Sequence, residues 1–330
     1  MKFIFATDFH IMGTSPGSRI DDYPQAIHKK IEEIFSLGSK FNIDFLLLGG
    51  DLFETYNVST SVIRQTMEWI KNRDIPILSI LGNHDLHGHT IDTFYRSAVS
   101  ILDISDFVRI FDSDKDRSLR ALHYYNGLEN DLNKNKEPSS KMQDILNGNE
   151  MIWVVHGMIS DISLPKISRN ILASDVRVGS NTKLVLSGDY HGGFPITTRE
   201  DGVVFANPGA LSRTSTTKDN LSRTIQVALV EYDPNDMKTK IDIEYIPLTS
   251  ALPAECVFDL EEKAHIKEQK REIFSYIEKL KDLEIEGGIQ NIEEELRAYA
   301  KESNLDDDIL NEIFKRLQKK RVSQQVTGKE

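Results

Sequence analysis

The sequence predicts an α/β fold in which two mixed β-sheets pack together, helices flank them, and a helical extension follows at the C-terminal end. Three observations lead to this prediction. Strand-like segments alternate with amphipathic helices over residues 1–190, strand-like segments then follow one another over 195–248, and the region after residue 250 is charged with helical periodicity. Alternation of strands and helices is typical of βαβ units, whose strands are parallel.

The first of these regions carries five short segments rich in β-branched, aromatic and other apolar residues. They are KFIFAT (2–7), DFLLLGG (44–50), IPILSIL (75–81), MIWVVH (151–156) and KLVLSG (183–188). Between them, apolar residues three and four apart predict helices, such as the one that places Ile27, Ile31 and Ile34 on one face. We therefore expect a largely parallel arrangement of these five strands.

Residues 195–248 contain four strand-like segments in succession, with turns at Asp201-Gly202 and Asp233-Pro234. Because a β-rich half follows a parallel half, we expect two packed sheets. From residue 259 to 321 the chain is charged and helical, and its last predicted helix, 306–321, has a basic end. The apolar stripe of that helix consists of Ile309, Leu310, Ile313, Phe314 and Leu317.

The composition is that of a globular protein with more acidic than basic residues: 39% of residues are hydrophobic and the net charge is −12. This charge argues against nonspecific coating of nucleic acid, although carboxylates that bind divalent cations also make a chain acidic. No apolar run approaches the ~20 residues of a membrane span, and the first residues read as a strand, not as a signal peptide. The single cysteine, Cys256, suits a reducing cytoplasm. No P-loop motif is present, which excludes a P-loop ATPase.

Side chains able to bind metal follow each of the five predicted strands. They occur in ATDFH (Asp8, His10), LLLGGD (Asp51), LGNHD (Asn83, His84, Asp85), WVVHG (His156) and LSGDYH (Asp189, His191). The carboxyl ends of parallel strands lie along one edge of an α/β sheet, where ligands collect. We therefore expect these side chains to lie close together.

The donor set indicates a pair of divalent cations. Imidazole nitrogen together with carboxylate and amide oxygen suits Mn²⁺, Fe²⁺ or Zn²⁺ more than Ca²⁺. Two cations ~3.5–4 Å apart need a bridging carboxylate and separate ligands on each side. In an Asp-x-His pair such as Asp8 and His10, both side chains project to the same side of an extended chain.

In their order and spacing these motifs resemble those of the calcineurin-like metallophosphoesterases, whose pattern is D-x-H, G-D, G-N-H-[DE], a lone His and G-H-x-H. The resemblance covers about residues 1–210 and implies the family's two-sheet sandwich over a catalytic domain of residues 1–250, with residues 251–330 as a capping or partner-binding region. It also implies hydrolysis of a phosphoester by two-metal-activated water. Mn²⁺ is the expected metal, with Mg²⁺, Fe²⁺ and Zn²⁺ as alternatives.

The resemblance further implies a role for each motif residue. Asp8, His10 and His191 would bind one metal, Asn83 and His156 the other, and Asp51 would bridge them. His84 would contact the scissile phosphate and protonate the leaving oxygen, and Asp85 would form a hydrogen bond to His84. The family's G-H-x-H reads GDYH here, so Asp189 stands at a ligand position of the second metal, where it would either bind a harder cation or weaken the site.

Within this superfamily, the segments GGDLF (49–53) and NPGALSR (207–213) resemble those of SbcD-type repair and recombination nucleases, including phage-encoded relatives. This implies DNA as substrate, an SMC-like ATPase of the SbcC type as partner of the C-terminal helices, a homodimer, and the cytoplasm of a bacterium or of a phage-infected cell. Asn207, Arg213 and Lys218 are candidates for contact with substrate phosphate, with a surface loop as the alternative.

Two departures from the SbcD pattern stand beside this resemblance. Glu54 occupies a position where SbcD-type enzymes often have His, and no β-containing capping domain is visible. Two other functions therefore stay open. One is hydrolysis of a small-molecule or protein phosphoester with the same metals, which the acidic charge favours. The other is a non-catalytic scaffold that has lost one metal.

Overall fold

The computed structural model describes residues 1–164, 169–236, 240–261, 296–299 and 301. The chain divides into two compact units, Met1–Phe258 and Asp259–Glu330. The helices predicted after residue 259, including the one at 306–321, lie almost wholly outside the described residues. The domain boundary at residue 250 and the helical character of most of 251–330 therefore stay predictions.

Two six-stranded sheets form the centre of the first unit. The first sheet contains β1 (Lys2–Ala6), β2 (Phe45–Leu48), β3 (Ile77–Ser79), β4 (Arg109–Ile110), β13 (Gln226–Glu231) and β14 (Asp242–Pro247), in the order β14-β13-β1-β2-β3-β4. The pairs from β1 to β4 are parallel, whereas β13 is antiparallel to both β1 and β14. The first strand therefore lies in the interior of its sheet, beside a strand from near the end of the unit.

The second sheet has the order β11-β12-β10-β7-β6-β5. Its strands are β5 (Ser113–Asp114), β6 (Leu119–Leu122), β7 (Ile152–Gly157), β10 (Leu184–Asp189), β11 (Phe194–Thr198) and β12 (Val204–Asn207). The inner strands are parallel and both edge strands are antiparallel to their neighbours. A separate parallel pair consists of β8 (Ile159–Ser160) and β9 (Ile171–Leu172).

The helices cover the outer faces of the sheets. They are α1 (Tyr23–Phe41), α2 (Thr60–Ile70), α3 (Ala98–Ile104), α4 (Leu128–Leu132), α5 (Ser140–Leu146), α6 (Lys218–Ser222) and α7 (Ala254–Val257). Alternate residues of β1 serve two layers: Phe3 and Phe5 pack with the second sheet, whereas Ile4 packs with α1. A strand buried on both faces needs a continuous apolar run, which explains the KFIFA segment.

The predicted two-sheet α/β fold is confirmed, and the five strand segments and the helices between them are present with shifts of a few residues at their ends. The distribution of strands differs from the expectation. β1, β2 and β3 belong to the first sheet but β7 and β10 to the second, while β13 and β14 return to pair beside β1. Each sheet thus draws strands from both halves of the chain. Among the described residues, no helix combines the length and apolar character needed to cross a membrane.

Candidate metal centre

The predicted ligands lie where the carboxyl-terminal ends of strands from the two sheets come together. Two hydrogen-bonding contacts join the sheets at this point. His156 of β7 places Nδ1 2.7 Å from the carbonyl oxygen of Gly49, which follows β2. The N–H of Asp189, at the end of β10, donates to both carboxylate oxygens of Asp8 at 3.2 Å. The site is therefore built between two sheets and not along the edge of one.

Sharp backbone turns direct these side chains inward. Asp8, His10, Asp51 and Asp189 have φ angles of 55°, 48°, 52° and 76°, a left-handed conformation that is uncommon outside glycine. Such strain is retained where the surrounding structure enforces it, often at functional sites. Close packing also requires a glycine at position 82, since a Cβ there would lie 2.1 Å from Asp51 Oδ1.

Asp8, His10 and His191 form a first cluster of ligand atoms. His10 Nε2 lies 3.0 Å from His191 Nε2 and 3.9 Å from Asp8 Oδ1. Asp8 Oδ1 lies 3.6 Å from His191 Nε2. Asp8 and His10 are buried, whereas the His191 side chain is about one-third exposed, so the cluster has one side open to substrate.

A second cluster contains Asp51, His156 and Asn83. His156 Nε2 lies 3.1 Å from Asn83 Oδ1 and 3.4 Å from Asp51 Oδ2. The same Asp51 oxygen is 3.8 Å from His10 Nε2, so Asp51 stands between the two clusters. Asp8, Asp51 and His156 also form a group of mutually close ligand atoms. The structure thus brings together every residue that the resemblance assigned to the two metals, except the side chain of Asp189.

The donor atoms fit a pair of cations. The Gly49 carbonyl can only accept a hydrogen bond, so His156 Nδ1 carries the hydrogen and the neutral ring presents a lone pair on Nε2. That lone pair faces two further acceptor atoms, Asn83 Oδ1 and Asp51 Oδ2. Convergent acceptors without a hydrogen between them are satisfied by a metal ion, and His, carboxylate and amide donors suit Mn²⁺, Fe²⁺ and Zn²⁺.

The protonation equilibria show how strongly this centre attracts positive charge. Burial alone would lower the pKa of His156, but the adjacent Asp51 carboxylate raises it well above its ordinary value. Burial likewise opposes protonation of His10, yet Glu54, Asp51 and Asp8 raise its pKa to about 9. Without a bound cation, protons therefore partly neutralise the carboxylates.

His84 reaches the centre from the loop after β3. Its Nδ1 lies 2.5 Å from the carbonyl oxygen of Glu54, and its backbone N–H donates to Asp51 Oδ1 at 2.8 Å. Because a carbonyl only accepts, Nδ1 carries a hydrogen and Nε2 is the ring atom left for other partners. His84 also has a ligand atom close to His10 and Asp51, so its role as a phosphate contact and not a ligand stays a prediction.

The predicted hydrogen bond from Asp85 to His84 is wrong. The buried Asp85 carboxylate accepts instead from the backbone N–H groups of Asp51, Gly82 and Leu52, at 2.8, 2.9 and 3.2 Å. Burial, with the nearby Asp51 charge, raises the pKa of Asp85 to about 7. Asp85 therefore holds the two ligand-bearing loops together, and His84 is oriented by the Glu54 carbonyl.

Glu54 is the site residue that the sequence did not assign a role. Its Oε2 lies 2.9 Å from His10 Nδ1, and its N–H donates to the carbonyl of Ile11 at 3.1 Å. A carboxylate behind a metal-binding histidine fixes the ring and its tautomer. In the sequence, Glu54 is marked only as an acidic residue at a position where SbcD-type enzymes often have His.

Asp189 takes part through its backbone. Its N–H binds Asp8, while its carboxylate belongs to none of the ligand clusters found among the described residues. Burial, together with the negative charges of Asp51 and Asp8, raises the pKa of Asp189 to about 7, although His156 opposes the shift. Metal binding by its side chain stays a prediction.

The NPGALSR segment lies against the metal centre. The N–H groups of Ala210, Leu211 and Ser212 donate to the carbonyls of His191, Thr7 and Asp8 at 3.1, 2.9 and 3.1 Å. Asn207 and Arg213 are buried, so neither is a surface-loop residue, whereas Lys218 is exposed; contact of these side chains with substrate phosphate stays a prediction.

One family model and several solved structures match this chain. Residues 1–211 match the model of the calcineurin-like phosphoesterase family. Similar solved structures include a dimetal phosphatase from Danio rerio, at 11% identity and a TM-score of 0.40, which covers 75% of this chain and 98% of that one. A 5'-nucleotidase precursor from Thermus thermophilus has 10% identity and a TM-score of 0.41, covering 83% of this chain and 59% of that one.

The match to the family model spans more than half of the chain and includes each of the motifs whose side chains meet between the two sheets. The protein therefore belongs to the calcineurin-like phosphoesterase family.

Proposed function

We propose that this phosphoesterase cleaves phosphodiester bonds of DNA, as the nuclease subunit of an SbcCD-type repair or recombination complex. The observation that supports this proposal is the position of NPGALSR. This segment resembles one found in SbcD-type nucleases, and three of its successive N–H groups bind backbone carbonyls at the metal centre. The likeness thus falls on residues that shape the site.

An open cleft gives substrate access to the centre. It has a volume of about 390 Å³ and is lined by His84, Asp189, Tyr190, His191, Ser215 and Asn220, among others. Its hydroxyl and amide groups are neutral hydrogen-bonding partners, which suit sugar and phosphate oxygens. A cleft open to solvent, and not an enclosed cavity, is compatible with a polymeric substrate.

The residues of the site would divide the work of hydrolysis. Asp8, His10 and His191 would hold one cation, Asn83 and His156 the other, and Asp51 would contact both. When bound, the two cations would supply positive charge to the phosphate oxygens and lower the pKa of a coordinated water. His84 lines the cleft with Nδ1 held by the Glu54 carbonyl, so the imidazolium form would carry a second proton on Nε2 and could give it to the leaving oxygen.

The proposed partner is an SMC-like ATPase of the SbcC type, bound through residues 251–330, with Mn²⁺ as the metal and a homodimer as the assembly. Co-purification with such an ATPase, compared between the full chain and a chain lacking residues 304–330, tests the partner. Loss of co-purification on truncation supports it, and retention contradicts it.

A second function, hydrolysis of a small phosphoester, is favoured by the net charge of −12. DNA binding rests largely on cationic contacts to phosphates, whereas a small substrate needs only the metal centre. The two functions share their catalytic residues and differ in what the cleft accepts.

The decisive experiment is Mn²⁺-dependent degradation of linear single- and double-stranded DNA by the purified chain. We expect His84→Ala to abolish degradation, while His28→Ala, a matched change at a half-exposed histidine on α1, retains it. If DNA is untouched but a small phosphodiester is hydrolysed in a His84-dependent way, the second function replaces the first.

A further inference from the structure

A pocket of about 160 Å³ lies beside the start of α1, apart from the metal centre. Three basic residues that line it are buried, with exposed fractions of 8% for Arg19, 4% for Lys30 and 6% for Arg213. The exposed Lys29 also lines this basic pocket. In a protein of net charge −12, such a concentration of buried positive charge needs a physical reason.

Only Arg19 has an acidic partner within the part of the chain that the structure describes. Its Nη2 lies 2.6 Å from Asp21 Oδ2. Lys30 Nζ donates to the carbonyl of Leu211 at 2.7 Å, and the two terminal nitrogens of Arg213 donate to the carbonyls of Leu252 and Arg223. Among the described residues, neither Lys30 nor Arg213 has a carboxylate within ion-pair distance.

Both residues also keep unused donor capacity. An ammonium group has three N–H donors, and Lys30 uses one on Leu211. The Nε of Arg213 is buried without a hydrogen-bond partner among the described residues. Buried polar groups are nearly always paired, so spare N–H donors on two buried cations that line a cavity favour a polar ligand there.

Arg223 adds a further, partly buried cation near the pocket. It donates to neutral acceptors, the carbonyls of Ala210 and Ser212 and the side chain of Asn220. Burial and the neighbouring Arg213 lower the pKa of Arg223 to about 9. Burial, together with Arg19, Arg223 and Arg213, also lowers the pKa of Lys30 well below its ordinary value. Among the described residues, Lys30, Arg213 and Arg223 thus have no carboxylate in ion-pair contact, and a charge without such a partner is costly inside a protein.

We propose that the basic pocket binds a small tetrahedral oxyanion of the size of phosphate, with Lys30 and Arg213 as its charged donors and Lys29 beside it. One water occupies ~30 Å³ in the liquid, so the pocket has room for such an anion and some of its hydration. Asp21 is already engaged by Arg19. Asp22 accepts from Gln25 N as the N-cap of α1, so neither of the two acidic residues that line the pocket forms an ion pair with Lys30 or Arg213.

The pocket is a separate site on the far side of the NPGALSR segment. The carbonyl of Leu211 accepts a hydrogen bond from Lys30. The N–H of Leu211 donates to the carbonyl of Thr7, which precedes Asp8 in the chain. The proposal rests on this cluster alone and holds whether the metal centre cleaves DNA or a small phosphoester.

Titration calorimetry of inorganic phosphate with the full chain tests the proposal. The ionic strength is held constant, with chloride as the balancing anion. A chelator is present throughout, so that bound metal does not capture phosphate. We expect saturable binding of one phosphate per chain, a tenfold or larger loss of affinity in Lys30→Met, and a loss of a few-fold in Lys29→Gln.

Lys40→Gln is the matched control, because Lys40 lies on the same helix but does not line the pocket. If Lys30→Met does not fold, the comparison of Lys29→Gln with Lys40→Gln still decides. The proposal is overturned if the wild type shows no saturable phosphate binding, or if Lys29→Gln binds phosphate as tightly as Lys40→Gln.

Discussion

Buried charge of opposite sign collects in two regions of this protein, carboxylates at the metal centre and cations at the basic pocket. In both, protonation equilibria move to reduce the charge: the pKa of His10 and His156 rises, whereas the pKa of Lys30 and Arg223 falls. A nearby opposite charge favours the charged form of a group, whereas burial and a nearby like charge disfavour it. Each region is therefore arranged for a ligand of opposite charge.

The two regions differ in how far the protein already satisfies its own groups. At the metal centre, His156 Nε2 lies 3.1 Å from Asn83 Oδ1 and 3.4 Å from Asp51 Oδ2, so these atoms need a proton or a metal ion to satisfy them together. At the basic pocket, Lys30 and Arg213 already donate to three main-chain carbonyls, so part of their donor capacity is satisfied without an anion. We therefore expect changes at the metal centre to have the larger effects.

The largest effect is expected from Asp51→Asn. Loss of the carboxylate between the two clusters should lower metal-dependent phosphodiesterase activity by more than the ~10–100-fold typical of changes behind a metal ligand. Metal-free protein should keep its thermal stability, because one of several buried carboxylates is removed. Activity assays with Mn²⁺ and thermal unfolding in chelator measure both quantities, and near-normal activity would contradict the bridging role.

Glu54→Gln should have the next largest effect. The carboxylate behind His10 would be lost while the size of the side chain and the backbone carbonyl that orients His84 stay. We expect metal affinity to fall by ~10–100-fold. Calorimetric titration with Mn²⁺ measures it, with Glu68→Gln on the exposed face of α2 as control. Equal affinity in the two variants would remove Glu54 from the site.

A smaller effect concerns pH and Lys30. Because the folded-state pKa of Lys30 is depressed, the unfolded chain binds the additional proton between that pKa and 10.5. The free energy of unfolding of wild type relative to Lys30→Met should therefore rise with pH across this window, by up to about 1.4 kcal/mol per pH unit. Urea unfolding between pH 7 and 10 measures this, and saturating phosphate should flatten the slope. A slope of zero without phosphate would show that Lys30 keeps an ordinary pKa.

The smallest effect is expected from Asp22→Ala. This residue caps α1 by accepting from Gln25 N at 3.1 Å, and loss of such a cap costs about 1 kcal/mol. Asp22 also lines the basic pocket, so the same change should tighten phosphate binding a few-fold. Unfolding and calorimetry measure the two effects, and weaker phosphate binding would argue against an anion in the pocket.

The metal centre was more predictable from sequence than the basic pocket, for a physical reason. Its ligands follow strands in short motifs such as DFH and GNHD, so strand ends alone bring them near one another. Arg19, Lys30, Arg213 and Arg223 instead come from a loop, a helix and two segments far along the chain, and no local pattern marks them. Only the packing of α1 against the 207–224 region brings them together.

Two errors of the sequence interpretation have a similar cause. The hydrogen bond from Asp85 to His84 was expected from the family resemblance, but adjacent residues of a turn point in different directions, and Asp85 binds backbone N–H groups of another loop. The division of the ligand strands between two sheets was also missed, because hydrophobic patterns identify a buried strand but not its neighbours.

The interior position of β1 also bears on how the protein is made. β1 pairs with β2 on one side and with β13 on the other, with Lys2 opposite Glu231. During synthesis on the ribosome, one edge of β1 therefore stays unpaired until residues 226–231 have emerged, and an unpaired strand edge invites aggregation. Pairing across such a sequence separation also slows folding. A chaperone that binds nascent chains would cover this edge of β1 during that time, before Asp8 and His10 pack into the metal centre.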